Sequence, residues 1–438
     1  MPRRNSRASS HRRPQRPTQA ISIWKKALGA LVMTLVMMLL TYCVGLTDLG
    51  QRLRVFAYDY MQNRLTLSTG APPISVVVVD TSDIPVLERP RGTTAPDWQV
   101  RHTDYEKLRK RIQDVAARMP KAIGVDFDLS EVADLSGFGP TELDSFKSYC
   151  LKLKSSGIPV YLGVNRTARE KPSSWLSGDK YISLAAGIMA PEPERVEWML
   201  LWIKEANYTP LKSMSKALAD DYGAREPEIR PWLRWAVEVT QEKRHEPPPV
   251  GLTARGFIVN YGALKRLKEE TVTAGSGYTE RLDSVRNRIV LLGDVKTGDS
   301  NDVFTAPNQP DVPGVYLHAC GADTLVRAPL YDLTWPGRVA LDLAFAVLFF
   351  AAITVAQLRL ARKRDTETDI QSLHSSMTLV VIALAFAAGV LFVNKTHIMW
   401  DDFPLVIVGL LANRPVEEVV HVVARFMESI IRPRRRGK

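Results

Sequence analysis

The sequence predicts an α/β domain with a mostly parallel sheet, held outside the cytoplasm by one N-terminal and about three C-terminal transmembrane helices. Three observations carry this. Between residues 74 and 164, short β-branched runs alternate with amphipathic helical segments, the pattern of βαβ units. Long apolar runs flank the region, uncharged from Ala27 to Leu46 and again, with Asp342 within it, after Pro336-Gly337. The net charge of +11 is concentrated beside those runs, with eight Lys/Arg and no acid in residues 1–26 and seven Lys/Arg against three Glu in residues 414–438. The rest of the chain is nearly neutral. A nucleic-acid protein would carry its positive charge on the folded domain, so no nucleic-acid partner is expected. Charge beside apolar runs follows the positive-inside rule instead.

Residues 1–22 are rich in Arg, Ser, Pro and Gln and read as a disordered basic cytoplasmic tail. Residues 23–48 read as a signal anchor: the run from Ala27 to Leu46 has 20 residues, about 30 Å as a helix. No short core with a small-residue cleavage site is visible, so the anchor is expected to stay on the chain. Its flank of Trp24, Lys25 and Lys26 places residues 49–336 outside.

Arg52 to Leu65 reads as a helix continuing from the anchor. Ile74 to Asp80, ISVVVVD, reads as a strand buried on both faces. Thr103 with Glu106 forms a capping-box signature, and the helix it opens puts Tyr105, Leu108, Ile112, Val115 and Ala116 on one face. Lys121 to Asp128 is the second strand, Thr141 to Ser156 a helix stopped by Gly157, and Ile158 to Val164 the third strand. Val196 to Ile203 and Gly256 to Gly262 read as further strands, with a helix from Pro210 to Asp221. Residues 223–250, charged and ending near three prolines, read as a surface insertion. Ile289 to Leu292 is another strand, followed by a polar loop and, after Pro313-Gly314, a helix containing His318.

Residues 337–358 form the next expected span, with Asp342 near its outer end. Residues 359–374 form a basic cytoplasmic loop, 375–393 a span, and 398–416 a short final crossing. Residues 417–438 form a cytoplasmic tail whose apolar residues recur with helical period. It suits either the lipid surface or a partner protein. All basic segments then share one side of the bilayer, and the expected location is a bacterial inner membrane, multi-pass.

Several short motifs follow one another along the chain: Tyr58-Asp59, Val79-Asp80, Trp98-x-x-Arg101, Lys121-Ala-Ile-Gly-Val-Asp126, Asn260-Tyr261-Gly262, Ile289-Val-Leu-Leu-Gly293, Asp302-x-x-Thr305 and Pro313-Gly-Val-x-x-His318-Ala319. Over about residues 50–410 this arrangement resembles the type-2 CHASE sensor family, the cyclase/histidine-kinase-associated sensory extracellular domains. Two family segments differ: the Trp-Pro-Trp-Pro-Arg piece is reduced to Trp98-Gln-Val-Arg101, and the central Asp-Gly-Val-Arg piece has no counterpart. The resemblance implies a membrane sensor whose outer domain binds a small molecule or protein. No cyclase, kinase or phosphodiesterase domain is read here, so the signal is expected to pass to a separate cytoplasmic protein. The resemblance also implies a homo-oligomer.

Asp80, Asp126, Asp128, Asp294, Asp299 and Asp302 fall at or just past expected strand ends, where ligands bind in open α/β sheets. Such carboxylates hold a hard cation or a cationic ligand when gathered, and form turns and caps when apart. Arg101 suits an anionic ligand or an ion pair with one of these aspartates. His318 suits a ligand contact or a packed, hydrogen-bonded histidine. The expected ligand-binding set is therefore Asp80, Arg101, Asp126, Asp294, Asp302, Thr305 and His318, with the metal question open and no cofactor expected. Cys150 and Cys320 read as separate buried thiols, with Cys43 in the anchor. There is no nucleophile elbow, phosphate loop or His-Glu-x-x-His helix, so no enzyme is expected. The alternative to a sensor is a non-catalytic accessory subunit of an envelope complex, and a third reading is an extracytoplasmic enzyme that uses the aspartate edge.

Overall fold

The structure, a computed structural model, describes residues 42–43, 47–65, 75–84, 86–88, 101–127, 140–164, 183–186, 196, 198–203, 211–223, 235–236, 254–296, 303–307, 309–327, 330–331, 333–345, 347–348, 384, 387–396 and 398–400. The basic loop, both tails, Asp128, Asp299, Asp302 and half or more of each expected span lie outside the described residues. Among the described residues no helix is long and apolar enough to cross a membrane. The chain divides into two compact units: Met1–Arg54, Val339–Ala385 and Asp402–Lys438 in one, and Val55–Arg338 with Phe386–Asp401 in the other. In the first unit residues 48–54, 339–345 and 347–348 are helical. The second holds the α/β domain.

Five parallel strands form its central sheet: β1 (Val76–Asp80), β4 (Ala122–Val125), β5 (Val160–Val164), β6 (Ser183–Ala186) and β10 (Ile289–Gly293). Their spatial order is β1-β10-β4-β5-β6, so the strand latest in sequence lies between the two earliest. The register pairs Val78 with Leu291 and Leu291 with Gly124. A parallel bridge from Val272 extends the sheet beyond β1. Period-2 alternation sends Val76, Val78, Ala122, Ile289 and Leu291 into one core. Val77, Val79, Ile123, Val125, Val290 and Leu292 enter the other.

Helices α2 (Tyr105–Ala116) and α3 (Pro140–Ser155) cover the second core, with Leu108, Ile112, Val115, Phe146 and Cys150 buried. The predicted apolar face of α2 is buried in full. Its cap differs from the expectation: Asp104 is the N-cap and accepts from Lys107 N at 3.0 Å, while Thr103 ends a short strand, β3 (Arg101–Thr103), paired with β2 (Val86–Glu88). Asp is as good a cap as Thr, and the hairpin fixes Thr103 in extended backbone. Gly157 follows α3 with φ +86°, a left-handed stop that suits glycine.

The first core is covered by α4 (Met214–Tyr222), α5 (Leu264–Glu269) and α7 (Gly314–Arg327), with a separate antiparallel sheet of β7 (Trp198–Ile203), β8 (Leu211–Lys212) and β9 (Ala254–Ile258). Sequence reading identifies β7 and β9 as strands, but they leave the parallel sheet and pair with each other. The loop after β10 also differs: residues 303–313 form a hairpin of β11 (Val303–Ala306) and β12 (Gln309–Pro313) that runs directly into α7. Helix α1 (Asp48–Leu65) extends the predicted helix at its N-terminus, and a short α6 (Tyr278–Leu282) precedes β10. Cys150 and Cys320 are free and buried in opposite cores, with the sheet between them.

Candidate functional site

The carboxyl ends of β1, β10 and β4 lie side by side, which brings Asp80, Gly293-Asp294 and Asp126 to one edge. Asp80 and Asp126 are separated by β10, so they do not share an adjacent pair of strands. Asp80 closes its own turn, accepting from Ser82 N at 2.9 Å and Ser82 Oγ at 3.1 Å. Asp294 is exposed and accepts from Lys296 N at 2.8 Å. Both behave as turn formers.

Asp126 differs. Its side chain is 13 % exposed, and its Oδ1 stands 3.6 Å from His318 Nε2. Burial pushes its carboxyl up to about 7, because removing a carboxylate from water disfavours the charged form. His318 lies in the second turn of α7 and is buried at 0 % exposure. The first turn of α7 reaches this edge because Gly293 has no side chain: a Cβ there would meet Val315 at 2.7 Å and the Asp126 Cβ at 3.3 Å. Ser215 of α4 donates from Oγ to the His318 carbonyl at 3.0 Å and holds the histidine's backbone from the other side. Gly321, one turn on, permits that approach, since a Cβ would lie 2.5 Å from Ser215 Oγ.

Among the described residues, Asp80, Asp294 and Thr305 stand apart from this pair. Arg101 opens β3 in backbone register with Glu88, in the hairpin rather than the parallel sheet. Thr305 is exposed on β11, and its carbonyl accepts from Val196 N at 2.9 Å. Asp302 lies outside the described residues. Among the described residues no group of three or more His, Cys, Asp or Glu is placed to hold a metal ion. Among the described residues, the aspartate edge holds one largely buried carboxyl beside one histidine, flanked by two turns.

Helix α7 carries this edge to the opposite end of the sheet, about 21 Å away for its 14 residues. There Asp323 Oδ1 accepts from Ser75 N at 3.3 Å and Ser75 Oγ at 2.8 Å, and its carboxylate pairs with Arg327. Thr324 Oγ1 accepts from Asn260 N at 2.9 Å. Asn260 Oδ1 in turn accepts from Gly262 N at 2.9 Å, which gives the Asn-Tyr-Gly motif its local turn. Gln62 of α1 grips the same turn, donating to the Val259 carbonyl at 2.9 Å and accepting from Tyr261 N at 3.1 Å. Nearby, Leu330 bridges Ile258 and Tyr331 bridges Ile398. Met399 N donates to the Tyr331 carbonyl at 2.7 Å, and Ile398, Met399 and Trp400 are buried. Sequence reading misses Gln62 and Ser215, because their partners lie 197 and 103 positions away and no local pattern marks them.

A family model described as CHASE2 domain matches residues 30–356, about three quarters of the chain. No curated protein and no solved structure matches it.

Proposed function

Since the chain belongs to the CHASE2 domain family, a family of sensory domains found in signalling proteins, we propose that it is a membrane-bound receptor whose α/β domain lies outside the cytoplasm and binds its ligand at the Asp126–His318 edge. The observation that carries this is the buried, neutral-leaning carboxyl of Asp126 beside His318 under the first turn of α7. Few proteins leave such a group at a strand end without a use, because burying it opposes folding. Asp126 is only 13 % exposed, so a ligand reaching it displaces the first turn of α7 or the β11–β12 hairpin that leads into it. That displacement changes the far end of α7, where Asp323 and Thr324 hold Ser75 and Asn260, and through Gln62 it reaches α1, the helix that continues the expected anchor.

Such a ligand acts by favouring one of two arrangements of α7, in proportion to its difference in affinity for them. The cytoplasmic output passes through the spans and the basic tail to a separate signalling protein. The reading is tested by thermal unfolding of the full chain in detergent across a panel of amines, polyols, carboxylates and divalent cations. The expected result is a compound that raises Tm for the wild type and fails to do so for both Asp126→Asn and His318→Gln. A compound that raises Tm equally in all three proteins moves the ligand away from this edge.

A further inference from the structure

Of the tryptophans whose surroundings the structure describes, Trp400 is 2 % exposed, whereas Trp235 is 58 % and Trp335 is 65 % exposed. An indole is the largest apolar side chain, and leaving two of them in water gives up burial that a folded domain ordinarily uses. The two lie 100 positions apart in sequence, yet their backbones are fastened together. Thr334 N donates to the Ala236 carbonyl at 2.9 Å, and Thr334 Oγ1 donates to the Trp235 carbonyl at 3.2 Å. The same hydroxyl accepts from Gly337 N at 3.1 Å, capping the helix that Trp335 opens. Gly337 lies directly against the Ala236 backbone, where any side chain would collide. Whatever level Trp335 occupies, the backbone of Trp235 is held beside it.

That level is set by sequence. Trp335 stands two residues before the expected span of residues 337–358, roughly 3 Å along a helix. Tryptophan favours the boundary of a bilayer, where the ring leaves water and the indole N–H keeps a polar partner. We propose that Trp235 and Trp335 form one contact surface for the interfacial layer of the phospholipid bilayer, on the face that carries the α/β domain. This rests on the reading of residues 337–358 as a span. Trp235 comes from the segment that sequence reading treats as a surface insertion, so its role is to rest the domain on lipid at a second point beside the span entry.

The test uses the full chain with 5-fluorotryptophan, reconstituted into phosphatidylcholine–phosphatidylglycerol nanodiscs. Trp235→Phe and Trp335→Phe assign the two fluorine signals, and the unchanged positions of the other signals report an intact fold. A lipid spin-labelled near its ester group is expected to broaden both signals several-fold more than an aqueous gadolinium chelate does. A Leu348→Trp variant supplies a signal from inside the expected span. If that signal is shielded from the chelate while Trp235 is broadened by the chelate alone, the contact surface is overturned and the span stands. If the Leu348→Trp signal is also broadened by the chelate, the span reading and the contact surface both fall.

Discussion

Asp126 carries a measurable consequence in its proton. Its carboxyl has an ordinary value of 3.8 and is pushed up to about 7 in the fold. Between those values the folded chain keeps a proton that the unfolded chain has released. Stability from this group is therefore full below about pH 4, falls as pH rises toward 7, and is level above. The span corresponds to at most about 4 kcal/mol at 1.36 kcal/mol per unit. Asp126→Asn stays neutral throughout, so its denaturation midpoint is expected to fall less than that of the wild type between pH 5 and pH 8. Equal falls in both proteins would assign the dependence to another group. The sequence places several aspartates at strand ends and cannot rank them. Asp80 and Asp294 have partners two residues away and close their own turns, whereas Asp126 is singled out by Val315 and His318, which arrive from the far side of β10.

At the level of elements, local signals are read well and pairings poorly. The strands β1, β4, β5 and β10 and the helices α2, α3 and α7 announce themselves through β-branched runs, apolar periodicity and stop residues. β2 and β3, VLE and RHT, are three residues each and too short to show a period, and β12, QPDVP, holds two prolines that argue against a strand. β7 and β9 are legible as strands, but the sheet they join is decided by partners more than 50 residues apart, which no local window contains. The α1 contact belongs to the same scale. Gln62 satisfies a carbonyl and an amide of the Asn260 turn from one buried amide group. Gln62→Ala is expected to cost about 1–3 kcal/mol, because it leaves buried backbone groups unpaired. Hydrogen exchange at the Tyr261 amide should speed up while that of β10 stays slow. Uniform loss of protection across the domain would mean that Gln62 supports the fold as a whole rather than the joint between α1 and the turn.

For the whole molecule, the distribution of charge says more than its sum. A nearly neutral folded region between basic ends was legible at once, as was the division into an α/β domain and flanking apolar segments. The compact unit that holds the α/β domain runs from Val55 to Arg338, and residues 386–401 return to it through the Tyr331–Ile398 bridge. Ile398, Met399 and Trp400 are buried, and the bridge from Ile398 reaches a segment 67 residues earlier, a pairing that leaves no periodic trace in the sequence. The receptor reading assigns output to the basic tail. Removing residues 414–438 is expected to abolish capture of the cytoplasmic partner from cross-linked native membranes, with the Tm of the domain unchanged. Retained capture would end the proposed role of the tail.

The strand order has a consequence for how the chain is made. β10 fills the gap between β1 and β4, and Arg288 beside it donates to the Val76 carbonyl across 212 residues. Until that strand has been synthesised, Val76–Asp80 and Ala122–Val125 each wait with a bare edge toward an empty slot. Such runs of unpaired, β-branched backbone are templates for pairing with the wrong chain. The helix that covers their face, α7, emerges later still. The nascent domain thus has a long vulnerable interval that closes in one late step, and chains halted before residue 293 should depend on holdase chaperones far more than the finished protein does.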